Sequence, residues 1–348
     1  MNSSRLSACG LAFAALLTAP QHPAFAQARV VRGPLVHAHN CYPDEGKFAD
    51  RIERALKLPL AQVAIEQDVA WVPASGGRAA RSVVVHGDKP TGAEPTLEAH
   101  FFTRVRPIME KALAENQRDR WPVMVLHLDF KTNETEHHRF IWNLLKRHER
   151  WLTTVKKAPP GSAPLPFTAG PLLVITENGP GQEDDFSDAV AAGDRLLLFG
   201  TTPSPQVTSE EDPERRAKIF AAASPAVLVP WQATNYRRWT NFAWNVIEEG
   251  GQPKAGAWTP AEAARLKAIV KQAHDHELWV RFYTLNGHVP ASSQGWTAGY
   301  NFGSPAAVRS RWQAAIEAGV DFIATDQYEA LAELLINQGT GPKAQGKQ

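Results

Sequence analysis

The sequence predicts an α/β protein that folds as a single (β/α)8 barrel over residues 31–336. Short apolar runs of strand length alternate with helical patterns from about residue 35 to 335, as in a parallel sheet covered by helices. Several of these runs end in ionisable residues, which suits the rim of a barrel whose strands all run the same way. The chain has 348 residues, 43% of them hydrophobic and 21% charged, and barrels of this size are often one domain.

The N-terminal segment, residues 1–26, has the features of a secretory signal peptide. Arg5 precedes an apolar run at 11–17, which is too short to span a membrane, and Ala24-Phe25-Ala26 is a small-x-small cleavage site. We therefore expect a periplasmic or secreted protein. The whole chain has 37 Lys and Arg against 36 Asp and Glu, so losing Arg5 balances the charge. This balance disfavours nucleic acid or an anionic membrane as a partner. Cys41 is then the one remaining cysteine.

Beyond this segment, nine runs have the pattern of a buried strand, so we expect one of them to lie outside the barrel. They are Leu35–His39, Val63–Val69, Ser82–His86, Val123–Phe130, Leu172–Thr176, Arg195–Phe199, Ala226–Pro230, Leu278–Leu285 and Val320–Thr325. Helical patterns cover 48–58, 100–116, 138–151, 260–276 and 305–318. Thr259 and Glu262 have the spacing of a capping box, and Gly319 suits the end of the last barrel helix. The polar tail, 337–348, is predicted to be disordered.

The strand ends carry three acidic residues that predict a metal site. Glu66 and Asp68 are two apart on one strand, so their side chains share a face, and Asp129 ends another apolar run. A divalent cation would relieve the cost of burying these charges together, and an all-oxygen ligand set favours Mg²⁺ or Ca²⁺. The alternative is a structural cluster paired with arginine. Lys131 is predicted to neutralise a phosphate oxygen, or else to face solvent after the strand.

Two histidines follow apolar runs and are candidates for proton transfer. His39 and His86 are predicted to end strands beside the acidic pair, where they could act on either side of a reacting phosphate. His37 shares a face with His39 and is the competing candidate. Its expected role is to contact the site residues and not the substrate. His127 is predicted to lie out of phase with Asp129 and to pack against a helix.

The segment from 201 to 258 is rich in aromatic residues and has two interpretations. Trp231 and its neighbours could form a wall or lid that contacts a substrate headgroup. Alternatively, Trp239 and Phe242 could lie on an amphipathic helix that packs on the barrel.

The order of these motifs resembles the superfamily of glycerophosphodiester phosphodiesterases and phosphatidylinositol-specific phospholipases C. The motifs are His39-Asn40, Glu66-x-Asp68, His86-Gly87 and Asp129-Phe130-Lys131-Thr132, followed by 280–286 and 319–326, which are similar to the seventh and eighth strands of such barrels. The resemblance covers scattered pieces of 35–335, and the sphingomyelinase D branch is especially similar at His86-Gly87 and 129–132. Glycerophosphodiesterases have His-Arg-Gly where this chain has His39-Asn40-Cys41, so their phosphate-binding arginine is missing here.

The resemblance implies that His39 and His86 are the base and acid, and that Glu66, Asp68 and Asp129 bind Mg²⁺ or Ca²⁺. Predicted substrate contacts are Asn40, Lys131, Trp231, Arg281 and Tyr283. We expect a monomer without a membrane span that cleaves a glycerophosphodiester or a phospholipid headgroup. Two alternatives stay open, namely a glycoside hydrolase that uses Glu66 and Glu177, and a binding barrel without turnover.

Overall fold

Eight parallel strands close into a barrel, as the sequence predicts. The computed structural model describes residues 30–44, 47–249, 255–289 and 298–339, so the predicted signal peptide and most of the tail lie outside the described residues. The strands are β1 (Leu35–Ala38), β2 (Val63–Val72), β3 (Arg81–Val84), β4 (Met124–Phe130), β5 (Val155–Lys156), β6 (Leu172–Thr176), β7 (Arg195–Leu196), β8 (Phe199–Thr201), β9 (Arg237–Ala243), β10 (Trp279–Tyr283) and β11 (Phe322–Thr325). The barrel order is β1-β2-β4-β6-β8-β9-β10-β11, and β1 closes it by pairing with both β11 and β2.

The α-helices cover the outside of this barrel. They are α1 (Arg51–Leu56), α2 (Thr103–Glu115), α3 (Thr135–Arg147), α4 (Pro213–Ala222), α5 (Pro225–Leu228), α6 (Pro260–Asp275), α7 (Pro305–Ala318) and α8 (Tyr328–Asn337). The predicted capping box is present, because Thr259 accepts from the Glu262 backbone and Glu262 accepts from the Thr259 backbone. Gly319 ends α7 at φ 79°, as predicted. Among the helices of the described segments, none combines the length and the apolar character of a transmembrane span.

The main core lies between the strands and the helices. Residues that alternate with the inward-facing positions, such as Leu126 and Leu128 on β4, are fully buried against the helical layer. Ile141 on α3 and Ile269 on α6 are among the helical residues that complete this layer. Burying each such side chain contributes about 1.5–3 kcal/mol.

Three of the nine strand predictions are corrected by the structure. Of Arg195–Phe199, only Phe199 belongs to a barrel strand, β8, whereas β7 pairs with β5 in a separate two-stranded antiparallel sheet. Ser82–His86 overlaps β3, which is antiparallel to β2 and lies outside the barrel. Ala226–Pro230 is not a strand, because Ser224 caps a helical turn there and Pro225 occupies its first position. The sixth barrel strand is instead β9, so the prediction of an amphipathic helix around Trp239 is wrong.

Candidate active site

A cavity of about 540 Å³ opens at the carboxyl ends of the barrel strands. Its lining includes nine of the ten residues predicted from the sequence. These are His39, Asn40, Glu66, Asp68, His86, Asp129, Lys131, Arg281 and Tyr283. Residues from β2, β4, β9 and β10 and from the loops after β1, β3 and β6 therefore meet at one mouth.

His86 reaches this mouth by a different route from the one predicted. It follows β3, which pairs with the part of β2 that extends beyond the barrel and runs back toward the rim. The Val85 amide donates to the Asp68 carbonyl over 3.1 Å, so the next residue, His86, lies above the acidic group. Partial burial and the nearby Lys131 ammonium hold the pKa of His86 below its usual value.

Glu66, Asp68 and Asp129 offer oxygen atoms that lie within 4.8 Å of one another. Asp68 and Asp129 are direct neighbours in the register of β2 and β4. Burial and the charge of Asp129 raise the pKa of Asp68 well above its usual value, so the ionised form of Asp68 is disfavoured. A bound cation would offset this unfavourable free energy. The three residues therefore fit a hard divalent cation with oxygen ligands.

Protein groups already hold one oxygen of Asp68 and one of Asp129. The Lys131 ammonium lies 2.8 Å from Oδ2 of each of these aspartates, and the Tyr42 hydroxyl donates to the same Asp68 oxygen over 2.7 Å. The two carboxylates outweigh burial and raise the pKa of Lys131, which is therefore a cation. The second oxygen of each aspartate remains for a metal ion.

Glu66 is held in the same way, with different partners on each oxygen. Arg281 donates to Oε1 over 3.0 Å, and the Asn40 amide donates to Oε2 over 2.9 Å. Asn40 has φ 51°, a conformation that asparagine tolerates better than most residues. Burial opposes ionisation, yet His39 and Arg281 hold the pKa of Glu66 well below its usual value. The sequence left open a structural cluster in which arginine pairs with the acidic residues. Of the three, Glu66 has such an arginine partner, Arg281.

His39 is oriented by a carboxylate on the neighbouring strand. Its Nδ1 lies 2.9 Å from Oδ1 of Asp326, which follows β11, and the Asp326 amide donates to Asn286 over 2.7 Å. With Nδ1 donating to Asp326, Nε2 is the free nitrogen, and it lies 3.8 Å from Oε2 of Glu66. Tyr283 and Tyr300 flank the ring, with centroids 6.5 and 5.9 Å away.

Five polar side chains form a closed ring inside the barrel, here called the interior ring, and Glu66 belongs both to this ring and to the acidic group. Its members come from five strands or strand ends and are Glu66, His127, Glu177, Asn241 and Arg281. His127 was predicted to pack against a helix, and that prediction is wrong. It is two residues from Asp129, so both side chains point into the barrel. Burial lowers the pKa of His127, but Glu177 and Glu66 outweigh it and raise that pKa to about 9.

Trp231 is the predicted site residue that the structure separates from the others. It precedes β9, and its carbonyl lies 2.8 Å from Nδ1 of His276 at the end of α6. This is the amino end of the strands, opposite the cavity, and Trp231 is 46% exposed there. Its position does not support a contact with substrate.

Several residues of the site were not singled out from the sequence. The period-two spacing could have placed His127 beside Asp129, and Asn241 required the recognition of β9. Tyr42 lies in a loop and Tyr300 ends a short 3-10 helix, and the sequence has no comparable signal for either position.

The comparisons with known proteins return neither a matching family model nor a matching curated protein. Similar solved structures include a glycerophosphoryl diester phosphodiesterase from Parabacteroides distasonis, at 13% identity and a TM-score of 0.42, with 91% of this chain and 90% of that one covered. A calcium-dependent phosphoinositol-specific phospholipase C from Pseudomonas sp. has 14% identity and a TM-score of 0.44, with 85% and 89% covered. A dihydropteroate synthase from Burkholderia cenocepacia has 16% identity and a TM-score of 0.37, with 88% and 91% covered. Function is therefore inferred from the site residues.

Proposed function

We propose that this chain is a metal-dependent phosphodiesterase that cleaves a small or lipid-linked phosphodiester, exported by a signal peptide at residues 1–26. The supporting observation is the meeting, in one cavity, of three clustered carboxylates, a lysine and two histidines. This is the set of groups that metal-assisted attack on a phosphodiester requires. A glycoside hydrolase would leave the histidines and Lys131 without a role, and the ring of His127 lies between Glu66 and Glu177 and contacts both.

Glu66, Asp68 and Asp129 would hold Mg²⁺ or Ca²⁺. Bound there, such an ion offsets the negative charge of the phosphate and favours ionisation of the nucleophile. Lys131 adds a positive charge at the same edge of the cavity and can bind a phosphate oxygen. Asn40 also lines the cavity, and its side-chain nitrogen, which donates to Asp326 over 3.2 Å, has a second hydrogen that can bond to the phosphate.

His39 is the proposed base, because Asp326 holds Nδ1 and leaves Nε2 free to accept a proton. The proton comes from a water molecule or from a neighbouring hydroxyl of the substrate. As the new O–P bond forms and the old one breaks, His86 donates a proton to the leaving oxygen. A bound phosphate favours the protonated form of His86, against the effects of burial and Lys131.

The opposite side of the cavity is suited to the alcohol part of a substrate. It is polar, with amide and hydroxyl side chains from Asn133, Asn178, Gln182, Thr201, Thr202, Thr240 and Asn241. A hydroxyl next to the phosphate would allow internal attack, which gives a cyclic phosphate. Phosphorus NMR separates the two routes, since attack by water gives a linear monoester from the start.

The decisive experiment is hydrolysis of bis(p-nitrophenyl) phosphate with the metal removed and then restored. We expect chelation to abolish turnover and Mg²⁺ or Ca²⁺ to restore it. Asp68→Asn should weaken metal binding in calorimetric titration, whereas Asp275→Asn, on the exposed end of α6, should not. Metal-independent cleavage of p-nitrophenyl glycosides instead would support the glycoside hydrolase, and binding without turnover would support the inactive barrel.

A further inference from the structure

Two histidines, His37 and His127, are fully buried inside the barrel, below the groups to which the proposed reaction assigns roles. Their ring centroids are 5.1 Å apart in an edge-to-face arrangement. Within the described part of the chain, neither nitrogen of His37 has a hydrogen-bond partner. His127 makes no hydrogen bond of good geometry there either, but its Nδ1 and Nε2 each lie within 3.4 Å of a carboxylate oxygen.

The contacts of His127 connect a proposed metal ligand with the wall of the cavity. Nδ1 lies 3.4 Å from Oε1 of Glu66, and Nε2 lies 3.2 Å from Oε1 of Glu177. Each nitrogen therefore has a carboxylate oxygen within ion-pair distance, and a nitrogen that carries a proton can donate toward that oxygen. Packing fixes its orientation, because the Trp239 ring meets it edge-on at 5.1 Å and Trp239 itself donates to the Thr176 carbonyl.

We propose that His127 is a positioning residue that, together with Arg281, engages Oε1 of Glu66 and so directs Oε2, which also accepts from the Asn40 backbone amide, toward the metal. The inference rests on the proposed function, since it takes Glu66 as a metal ligand. Glu66 has one rotatable carboxylate, and the contacts of Arg281 and His127 with Oε1 hold it in one orientation. Such partners of a metal ligand typically change metal affinity about 10–100-fold when removed.

A different use of the same residues is a metal site formed by His37, Glu66 and His127, whose ligand atoms lie within 4.8 Å of one another. Two observations favour the positioning role. Arg281 already donates to the Glu66 oxygen over 3.0 Å, which places a positive charge where the ion would bind. The second carboxylate, Glu177, lies on the far side of His127 and completes its contacts without an ion.

Two substitutions of His127 test the proposal, because each keeps only one of its two contacts, either the one with Glu66 or the one with Glu177. Asparagine places its amide nitrogen near the position of histidine Nδ1, and glutamine near that of Nε2. His127→Asn therefore keeps a donor toward Glu66, whereas His127→Gln keeps a donor toward Glu177. Calorimetric titration with Mg²⁺ and with Ca²⁺ should show a loss of about 10–100-fold in affinity for His127→Gln and less than about threefold for His127→Asn.

His37→Asn is the matched control, since it changes the other buried histidine and should leave Mg²⁺ and Ca²⁺ affinity within about threefold. Circular dichroism and thermal unfolding check that each variant folds. If His127→Gln does not fold, Glu177→Gln tests the same link from the cavity side and should weaken metal binding more than Asp275→Asn does.

The outcomes separate the positioning role from the proposed function. If Asp68→Asn weakens metal binding but both His127 variants bind as the parent protein does, the positioning role is overturned and the proposed function stands. If the parent protein binds neither Mg²⁺ nor Ca²⁺, the proposed function is overturned, and the positioning role that rests on it is overturned as well. Tight Zn²⁺ binding that disappears in both His37→Asn and His127→Asn would overturn the positioning role in favour of the metal site.

Discussion

At the scale of single residues, the contact between His39 and Asp326 decides which nitrogen faces the cavity. Asp326 is itself fixed, because its amide and the Thr325 hydroxyl both donate to Asn286. The sequence predicts that His39 ends one strand, and Asp326 directly follows the predicted strand Val320–Thr325, but their pairing depends on closure of the barrel between β1 and β11. The two residues are 287 positions apart, so no local pattern could indicate that they touch.

Asp326→Asn should lower turnover on bis(p-nitrophenyl) phosphate by about 10²–10⁴-fold. The amide keeps the size of the carboxylate but donates a hydrogen bond to Nδ1, so the proton of His39 moves to Nε2 and the base is lost. Metal affinity in calorimetric titration should stay close to that of the parent protein, because Asp326 is not a proposed ligand. Undiminished turnover would show that His39 does not depend on this partner.

His39→Ala and His86→Ala should each lower turnover by about 10²–10⁴-fold while the fold and metal binding persist. The double variant should lose less than the product of both effects, because the two residues act as a unit. If His86 is the acid, its variant should lose less activity with p-nitrophenol as leaving group than with an alkyl alcohol. An equal loss with both would remove the acid assignment, and loss in His37→Ala with none in His39→Ala would identify His37 as the base.

At the scale of elements, β9 shows what the sequence pattern could not resolve. Its segment, 237–243, has no run of apolar residues, because four of its seven residues are polar or charged, and one of these, Asn241, belongs to the interior ring. A barrel strand with polar residues inside loses the apolar character by which parallel strands are recognised. Ala226–Pro230 has that character, yet Ser224 and Pro225 begin a helix there.

The loop after β9 is tied to α7 by a buried ion pair, and this contact should matter for stability. Glu248 accepts from Arg311 at both oxygens and from Trp244 over 2.6 Å, and Glu248 and Arg311 are both 2% exposed. Arg311→Ala would leave the carboxylate buried without its partner, so we expect it to lower the free energy of unfolding by about 3–5 kcal/mol. Urea denaturation followed by tryptophan fluorescence measures this change.

Lys271→Ala is the control for that experiment, since it breaks an ion pair with Asp275 whose two side chains are largely exposed. It should lower the free energy of unfolding by less than about 1 kcal/mol. Equal losses in the two variants would show that burial does not set the strength of the Glu248–Arg311 contact.

At the scale of the whole molecule, the predictable part of the site is the part formed by neighbouring strands. Glu66, Asp68 and Asp129 lie on β2 and β4, which are adjacent in the barrel, so period-two spacing and parallel pairing bring them together. Arg281 meets Glu66 across 215 positions of sequence, through the interior of the closed barrel. Contacts of this kind depend on strand order and stagger, which the sequence pattern does not specify.

The molecule as a whole should lose stability in mild acid because it buries neutral histidines. Burial outweighs other effects and lowers the pKa of both His100 and His137 from 6.5 to about 4. The environment of His137 suits the neutral ring, since Nδ1 lies 3.1 Å from the Thr132 carbonyl and Nε2 lies 2.8 Å from the Ser82 hydroxyl. Above pH 6.5 both histidines are neutral in the folded and the unfolded chain, so neither adds a pH dependence there.

Between pH 6.5 and 4, His100 and His137 are protonated in the unfolded chain but stay neutral in the folded chain. The free energy of unfolding should therefore fall as pH falls through this window, by about 3 kcal/mol for each histidine by pH 4. Urea denaturation at half-unit steps of pH measures the slope. His137→Gln, which keeps an amide near Ser82 but cannot titrate, should be less stable at pH 7 and should have a shallower slope, by up to one proton. An unchanged slope in this variant would mean that His137 does not stay neutral in the folded protein, and that other groups cause the acid sensitivity.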